Sequence, residues 1–270
     1  MRNFISAWRL AGRVVKLTFR ARLEYRGEFI MGVTIGVVWQ VSIIVFATVL
    51  LGRFHGMGGW PSDAVLMIMA MRMLSHGLYV LLLGRVFALT LLVQRGEVDA
   101  YLLRPLPVYR QVQLSYFPTN AIGDLMVGIS LFVGALLHVD LVWTWPKALF
   151  LAAGVLGGMF MEAAIATALS SAALHYPAAF YWQSWVEELL GTFGSYPLKI
   201  LPRAVDAAFT FVLPLAFIAY FPAAILTGNT PGLGVPETVA ALSPVIAIAA
   251  FLASRLLWNR SLRHYTGVNG

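Results

Sequence analysis

Six stretches of this chain approach or exceed the roughly 20 apolar residues that a helix needs to cross a bilayer. They lie near 29–51, 64–84, 114–137, 147–172, 207–226 and 240–258. Lipid offers no partner to backbone N–H and C=O groups, so such segments must satisfy their hydrogen bonds internally, as helices do. Composition points the same way. Hydrophobic residues make up 60% of the chain and charged ones 11%, where a soluble domain carries about 25% charged residues. The expected fold is therefore one all-α membrane domain over residues 1–270, with six transmembrane helices.

The net charge of +7 is read first as a topology signal. Arg2, Arg9, Arg13, Lys16, Arg20, Arg22 and Arg26 precede the first span, and Arg85, Arg95, Arg104 and Arg110 lie between spans two and three. Lys199 and Arg203 precede span five, and Arg255, Arg260 and Arg263 sit at or beyond the end of span six. The other connections carry only Arg53 with Asp63, Asp140 with Lys147, and Glu237. The positive-inside rule then gives both termini and the arginine-rich loops to the cytoplasm. Charge that tracks membrane sides does not make the single basic patch of a nucleic-acid binder. No cleavable signal peptide is visible, and the apolar run starting at Phe29 is expected to serve as an uncleaved anchor.

Residues 1–28 read as an amphipathic helix lying in the cytoplasmic interface. Phe4, Trp8, Ala11, Val15, Phe19 and Leu23 recur every three or four positions, with Arg2, Arg9, Arg13, Lys16 and Arg20 set apart from them. Span two carries Arg72, Ser75, His76 and Tyr79 at i, i+3, i+4 and i+7, on one stripe of one helix. An arginine at that depth is costly unless it faces protein or water. Its stripe must therefore look inward.

Other spans show small residues in line with a polar group: Gly32, Gly36 and Gln40; Asn120, Asp124 and Gly128; Gly154, Gly158 and Glu162. The small residues permit close helix approach. Asp124 and Glu162 are both candidate partners for Arg72, and the seam admits two readings, a neutralising pair or a translocation path.

Between spans two and three, Gly96 and Pro105 of QRGEVDAYLLRPLP bracket about two turns of helix. Glu97 and Asp99 stand near its start and Arg104 at its end, as the helix dipole favours. Val98, Tyr101 and Leu102 are expected on one side. Such an element at 94–107 can be a tight connector or a knob that docks into a partner protein. Tyr176–Pro202 is aromatic but interrupted by Glu187, Glu188 and three prolines. It is expected to lie in the cytoplasmic interface. Pro214 and Pro222 predict kinks or a broken helix in span five. GNTPGLGVP beyond it reads as plain connection.

Catalytic signals are missing. The three lysines stand in no phosphate-binding loop, the chain has no cysteine, and His55, His76, His138, His175 and His264 show no metal-pair spacing. Ser75 and His76 are neighbours on a helix, about 100° apart, which is poor geometry for a nucleophile and its base. No enzyme activity, cofactor or metal is expected in this chain by itself.

QRGEVDAYLLRPLP, SYPLKILPRAV and FTFVLPLAFIAYFPAAILTG resemble the signature segments of ABC-2 family permeases. They are most similar to a bacterial branch with an RGE-x-D-x-x-L-x-RPL loop, from which this chain departs at Val98 (usually leucine) and Lys199 (usually small and polar). The resemblance implies a type V exporter-like transmembrane domain with six helices and an N-terminal interfacial helix. It implies that Arg95, Gly96, Glu97, Asp99, Tyr101, Leu102, Arg104 and Pro105 form a coupling helix contacting a separate ATP-binding-cassette subunit, which holds the ATP and Mg. It further implies export across the bacterial inner membrane, working with a second permease copy or a sister permease. The apolar, aromatic interior suits a hydrophobic or amphiphilic cargo such as a drug, natural product or lipid. The alternative is a secondary transporter or channel using Arg72, Asp124 and Glu162 as an ion relay.

Overall fold

In the computed structural model, residues 2–53, 57–176 and 179–266 are described, the side chains of 2–11, 46–47, 50–53, 94 and 180 excepted. The described residues form helices and connecting turns. They are α1 (Arg2–Glu24), α2 (Arg26–Arg53), α3 (Ser62–Leu82), α4 (Leu89–Gln94), α5 (Glu97–Leu102), α6 (Val108–Leu114) and α7 (Asn120–His138). Then follow α8 (Trp145–Ala173), α9 (Ala179–Phe193), α10 (Arg203–Phe211), α11 (Tyr220–Thr227), α12 (Glu237–Ala241) and α13 (Ser243–Arg263). Prolines mark several starts: Pro61 precedes α3, and Pro146 and Pro244 occupy the first turns of α8 and α13. There a missing N–H costs nothing.

Helix directions follow from the contacts. Gly128 of α7 faces Met73 of α3 and Gly77 of α3 faces Leu125, so these two run antiparallel. Gly32 and Gly36 of α2 face Thr119 and Asn120, so α2 and α7 run together. Gly154 meets Met71 and Gly157 meets Pro244, which aligns α3, α8 and α13 in the opposite sense. Each crossing is made at a glycine, where the missing Cβ lets the neighbouring helix approach closely. The small-residue stripes of the sequence are helix-packing surfaces.

One end of the bundle gathers α1, α4–α6 and the last turns of α8 and α13, with Arg20, Arg85, Arg95, Arg104, Arg110, Arg260 and Arg263. The other end holds the turns at 57–61, 139–144 and 228–236, where Gly228 adopts φ +73° to close α11. Five helices among the described residues are long and apolar enough to cross a bilayer: those at Arg26–Val45, Ser62–Leu82, Asn120–His138, Trp145–Ala173 and Ser243–Arg263.

The remaining pass differs from the expectation. Tyr176–Pro202 does not lie along the arginine-rich end. Gln183 of α9 donates to Phe87 O just past α3, Leu190 O accepts from Arg72 in mid-α3, and Ile200 reaches Gly58 ahead of α3. The segment thus runs the whole depth of the bundle, antiparallel to α3 and α8. At 15 residues with two glutamates, α9 is too short and too polar to register as a span by hydropathy. Its glutamates border the cavity that Arg72, His76 and Glu162 also line.

The stretch 207–226, expected to be span five, is not one helix. α10 ends at Phe211, a single 3-10 turn occupies Leu215–Phe217, and α11 begins at Tyr220. This pair dips in from the turn-rich end. Tyr220 stacks on Trp60 at 5.1 Å, while Ile218 reaches the level of Gly158 and Ser75. Irregular backbone is tolerated at this depth because it is enclosed by protein: Leu215, Ala216, Ile218, Ala219 and Phe221 are buried. Of the kinks or broken helix expected from the prolines at 214 and 222, the structure has the broken helix, in a chain that turns back.

α1 leaves its apolar face largely uncovered by protein. Val15 and Leu23 are exposed, and among the described side chains of that face Phe19 finds rings to pack on, Phe29 and Phe117. That pattern fits a helix lying on lipid. Phe4, Trp8, Ala11, Arg2 and Arg9, which complete the two faces, have side chains outside the described residues.

Candidate functional site

The stripe of α3 meets α8 and α9 at mid-depth. Arg72 and His76 are one turn apart, so both can reach a single acid on the neighbouring helix. Arg72 Nη1 lies 2.8 Å from Glu162 Oε1, and His76 Nδ1 lies 2.8 Å from Glu162 Oε2. The Arg72 and Glu162 side chains are only 6% and 1% exposed. A carboxylate only accepts, so Nδ1 carries the hydrogen. Arg72 Nη2 also donates to Leu190 O at 3.4 Å. Gly194 makes room for this arginine, since a Cβ there would stand 2.7 Å from Arg72 Nε.

Of the two candidate partners for Arg72, the fold selects Glu162. Asp124 faces α2, whose Gln40 Nε2 donates to it at 3.2 Å, and Asn120 Nδ2, one turn earlier on α7, donates at 3.4 Å. Ser75 donates to Val155 O at 2.9 Å and ties α3 to α8. Tyr79 is buried with its ring 6.0 Å from that of His76, and its hydroxyl has no hydrogen-bond partner among the described residues. The stripe thus divides into a charge pair, a structural hydroxyl and an unsatisfied phenol.

A cavity of about 430 Å³ opens beside this cluster, between α2, α3, α8 and α9. Arg72, His76, Tyr79 and Glu162 border it on one side; Trp39 and Gln40 of α2 close another. Gln183, Glu187, Glu188 and Gly191 of α9 complete the wall. The α9 residues were missed by sequence reasoning, which placed them at the interface. Gln183, Glu187 and Gly191 recur at i, i+4 and i+8, and that periodicity was the available signal for a helix with a polar inner face. Gln183 is itself buried in a network with Thr90, Ser170 and Phe87 O.

At the arginine-rich end, α5 stands as the expected short helix. Gly96 takes φ +68°, a left-handed turn that redirects the chain from α4 into α5. Val98 points inward and is fully buried. It joins a second core with Val86, Leu89, Val93, Val108, Tyr109 and Trp258. Tyr101 is half-buried beneath Arg104, whose guanidinium lies 5.3 Å from the ring centroid. Leu102 and Leu103 point outward, as do Arg95 and Glu97, which approach each other at 3.8 Å. Val98 and Leu102 are one turn apart on the same side of the helix, the first buried in the core and the second exposed at its rim. Asp99 neighbours Tyr265 past the end of α13, and burial with that adjacent carboxylate pushes the phenol up to about 12.

Gln111 is the residue that sequence reasoning overlooked here. Its Nε2 donates to Tyr101 O at 2.8 Å and to Leu106 O at 2.5 Å, pinning both ends of the exposed loop to α6. Below it, the Tyr109 ring packs on Trp258 at 5.5 Å and carries the Arg255 guanidinium at 3.3 Å, while its hydroxyl meets Thr167 at 3.3 Å. The loop thus rests on a packed block that reaches α8 and α13.

Residues 37–269 match the family model described as ABC-2 family transporter protein. Comparison with curated proteins and with solved structures gave no significant match. The matched stretch takes in the loop at 95–105, the charged seam, the broken segment at 203–227 and all but the first part of α2 among the bundle helices. With membrane-crossing helices, a pinned loop at one end and a polar cavity at mid-depth, the chain belongs to the ABC-2 family and is a multi-pass membrane permease subunit of an ABC transporter.

Proposed function

We propose that this chain is the permease of a bacterial ABC exporter of the cytoplasmic membrane, driven by ATP hydrolysis in a separate nucleotide-binding subunit. ATP and Mg belong to that subunit, and the permease works with a second copy or a sister permease. The arginine-rich end and both termini face the cytoplasm, in keeping with the positive-inside rule. The observation that carries this reading is the loop at 95–105: exposed on its outer face, pinned by Gln111 and seated on a core through Val98. A surface so braced can receive a push without buckling.

In this mechanism Arg95, Gly96, Glu97, Asp99, Tyr101, Leu102, Arg104 and Pro105 form the coupling helix and its flanks. Glu97 and Asp99 pair with basic groups of the ATPase, and Leu102 enters an apolar groove there. Closure of the ATPase dimer moves α5, and the Tyr109–Trp258 block carries the displacement into α8 and α13. α8 holds Glu162, so the motion reaches the cavity and the seam of Arg72, His76 and Tyr79. The cargo is amphiphilic, since the cavity wall combines aromatic surface with charged groups. The ion-relay alternative has less support, because Gln40 and Asn120 engage Asp124 away from Glu162.

The test is charge reversal at the loop. Glu97→Arg combined with Asp99→Arg should abolish co-purification of the nucleotide-binding subunit while membrane insertion stays normal. Intact co-purification of the double variant would refute the docking assignment.

A further inference from the structure

The cavity carries its acidic groups on one wall. Arg72 and Glu162 neutralise each other at 2.8 Å, and His76 takes the second Glu162 oxygen. That leaves Glu187 and Glu188 on the α9 wall, neither with a hydrogen bond or ion pair among the described residues. A second, independent feature also lacks a partner: the Tyr79 hydroxyl, on a buried side chain bordering the same space. Unpaired carboxylates at mid-depth are costly, and their usual meaning in a membrane is a ligand or ion pathway. The Trp39 ring on the opposite wall adds a surface that attracts cations.

From this juxtaposition we infer that the cavity selects an organic cation, an amphiphile whose positive group sits between Glu187, Glu188 and the Tyr79 oxygen. The inference rests on the permease reading above and sharpens it from amphiphilic cargo to cationic cargo. An anionic amphiphile of the same shape would meet two uncompensated carboxylates, since the one guanidinium is already engaged. A volume of about 430 Å³ lies within the range of small-molecule sites, roughly 300–1,000 Å³. Charges of one sign lining a cavity discriminate mainly by rejecting the wrong ligand.

Tetraphenylphosphonium and tetraphenylborate share size and shape and differ in sign, so they isolate the charge. Their equilibrium binding is measured on the full chain in nanodiscs, with protein-free nanodiscs correcting for partition into lipid. The native protein should favour the phosphonium by about tenfold or more. Glu187→Gln with Glu188→Gln should bring the ratio to within about twofold, while Tyr79→Phe keeps a preference for the cation. Equal binding of both ions by the native protein overturns the inference, and that arm needs no variant to fold. Persistence of the full preference in the glutamine double variant overturns it as well. The measurement requires no nucleotide-binding subunit. A loop variant that still co-purifies with its ATPase would refute the coupling reading and leave this result standing.

Discussion

Breaking the buried pair of Arg72 and Glu162 should be among the most damaging polar substitutions in this protein. Glu162→Gln keeps the shape and removes the charge, leaving the guanidinium at mid-depth with the Leu190 carbonyl as its remaining acceptor among the described residues. At 2.8 Å and an effective dielectric constant of about 20, the lost attraction is about 6 kcal/mol. The amide oxygen recovers part of it by accepting from Arg72 or His76. The net loss expected is about 3–5 kcal/mol, the usual range when one partner of a buried pair is removed. Arg72→Met alone leaves the carboxylate stranded and should cost a similar amount. The double variant removes both charges and should return to within about 1 kcal/mol of the native protein, because an apolar replacement also escapes the desolvation cost. Unfolding in mixed micelles by a denaturing detergent, followed by circular dichroism, gives the cycle. A double variant as unstable as either single one, or a Glu162→Gln variant of native stability, would refute the neutralising-pair account.

Gln111→Ala should free both pinned carbonyls of the loop at a cost of about 1–2 kcal/mol. Exchange of the amides over 101–106 should speed up by about tenfold, with little change in the bundle helices, as hydrogen–deuterium exchange would report. Gly123→Ala places a methyl group against the Val33 carbonyl and 2.7 Å from the Val37 nitrogen. It should force α2 from α7 and destabilise by about 1–3 kcal/mol. Gly134→Ala, on the same helix with nothing within 4 Å of the added carbon, should be neutral or slightly stabilising; equal thermal shifts for the two variants would contradict the close crossing.

Much of the architecture was written locally. α2, α3, α7, α8 and α13 are each continuous apolar runs, and a run of that length in lipid has little choice but to be a helix. The short helix at Glu97–Leu102 was legible for an equally local reason, a glycine able to adopt φ +68° ahead of it and proline behind. That Arg72 needs a partner also followed from its depth alone. Which partner it takes did not, since Asp124 and Glu162 occupy comparable stripes. The register of α3 on α8 settles the matter for Glu162, and the parallel packing of α2 on α7 gives Asp124 to Gln40.

The sixth pass was hidden for the same reason. Hydropathy sums the cost of each residue as though its surroundings were lipid. By that measure Glu187 and Glu188 exclude α9 from the membrane, while the apolar stretch at 207–226 is admitted. In the folded chain the glutamates border a polar cavity and the apolar stretch is broken, with its part from Leu215 onward wrapped in protein, so both assignments reverse. Gln111 makes the same point at the loop, because its value lies in two carbonyls that only the turn after α5 brings to it. The sequence by itself determined that the chain is a helical membrane protein, where most of its spans fall and which end carries the positive charge. The tertiary structure alone decided which polar groups meet. The energy of a buried charge depends on what stands across from it, and no local reading of the chain contains that term.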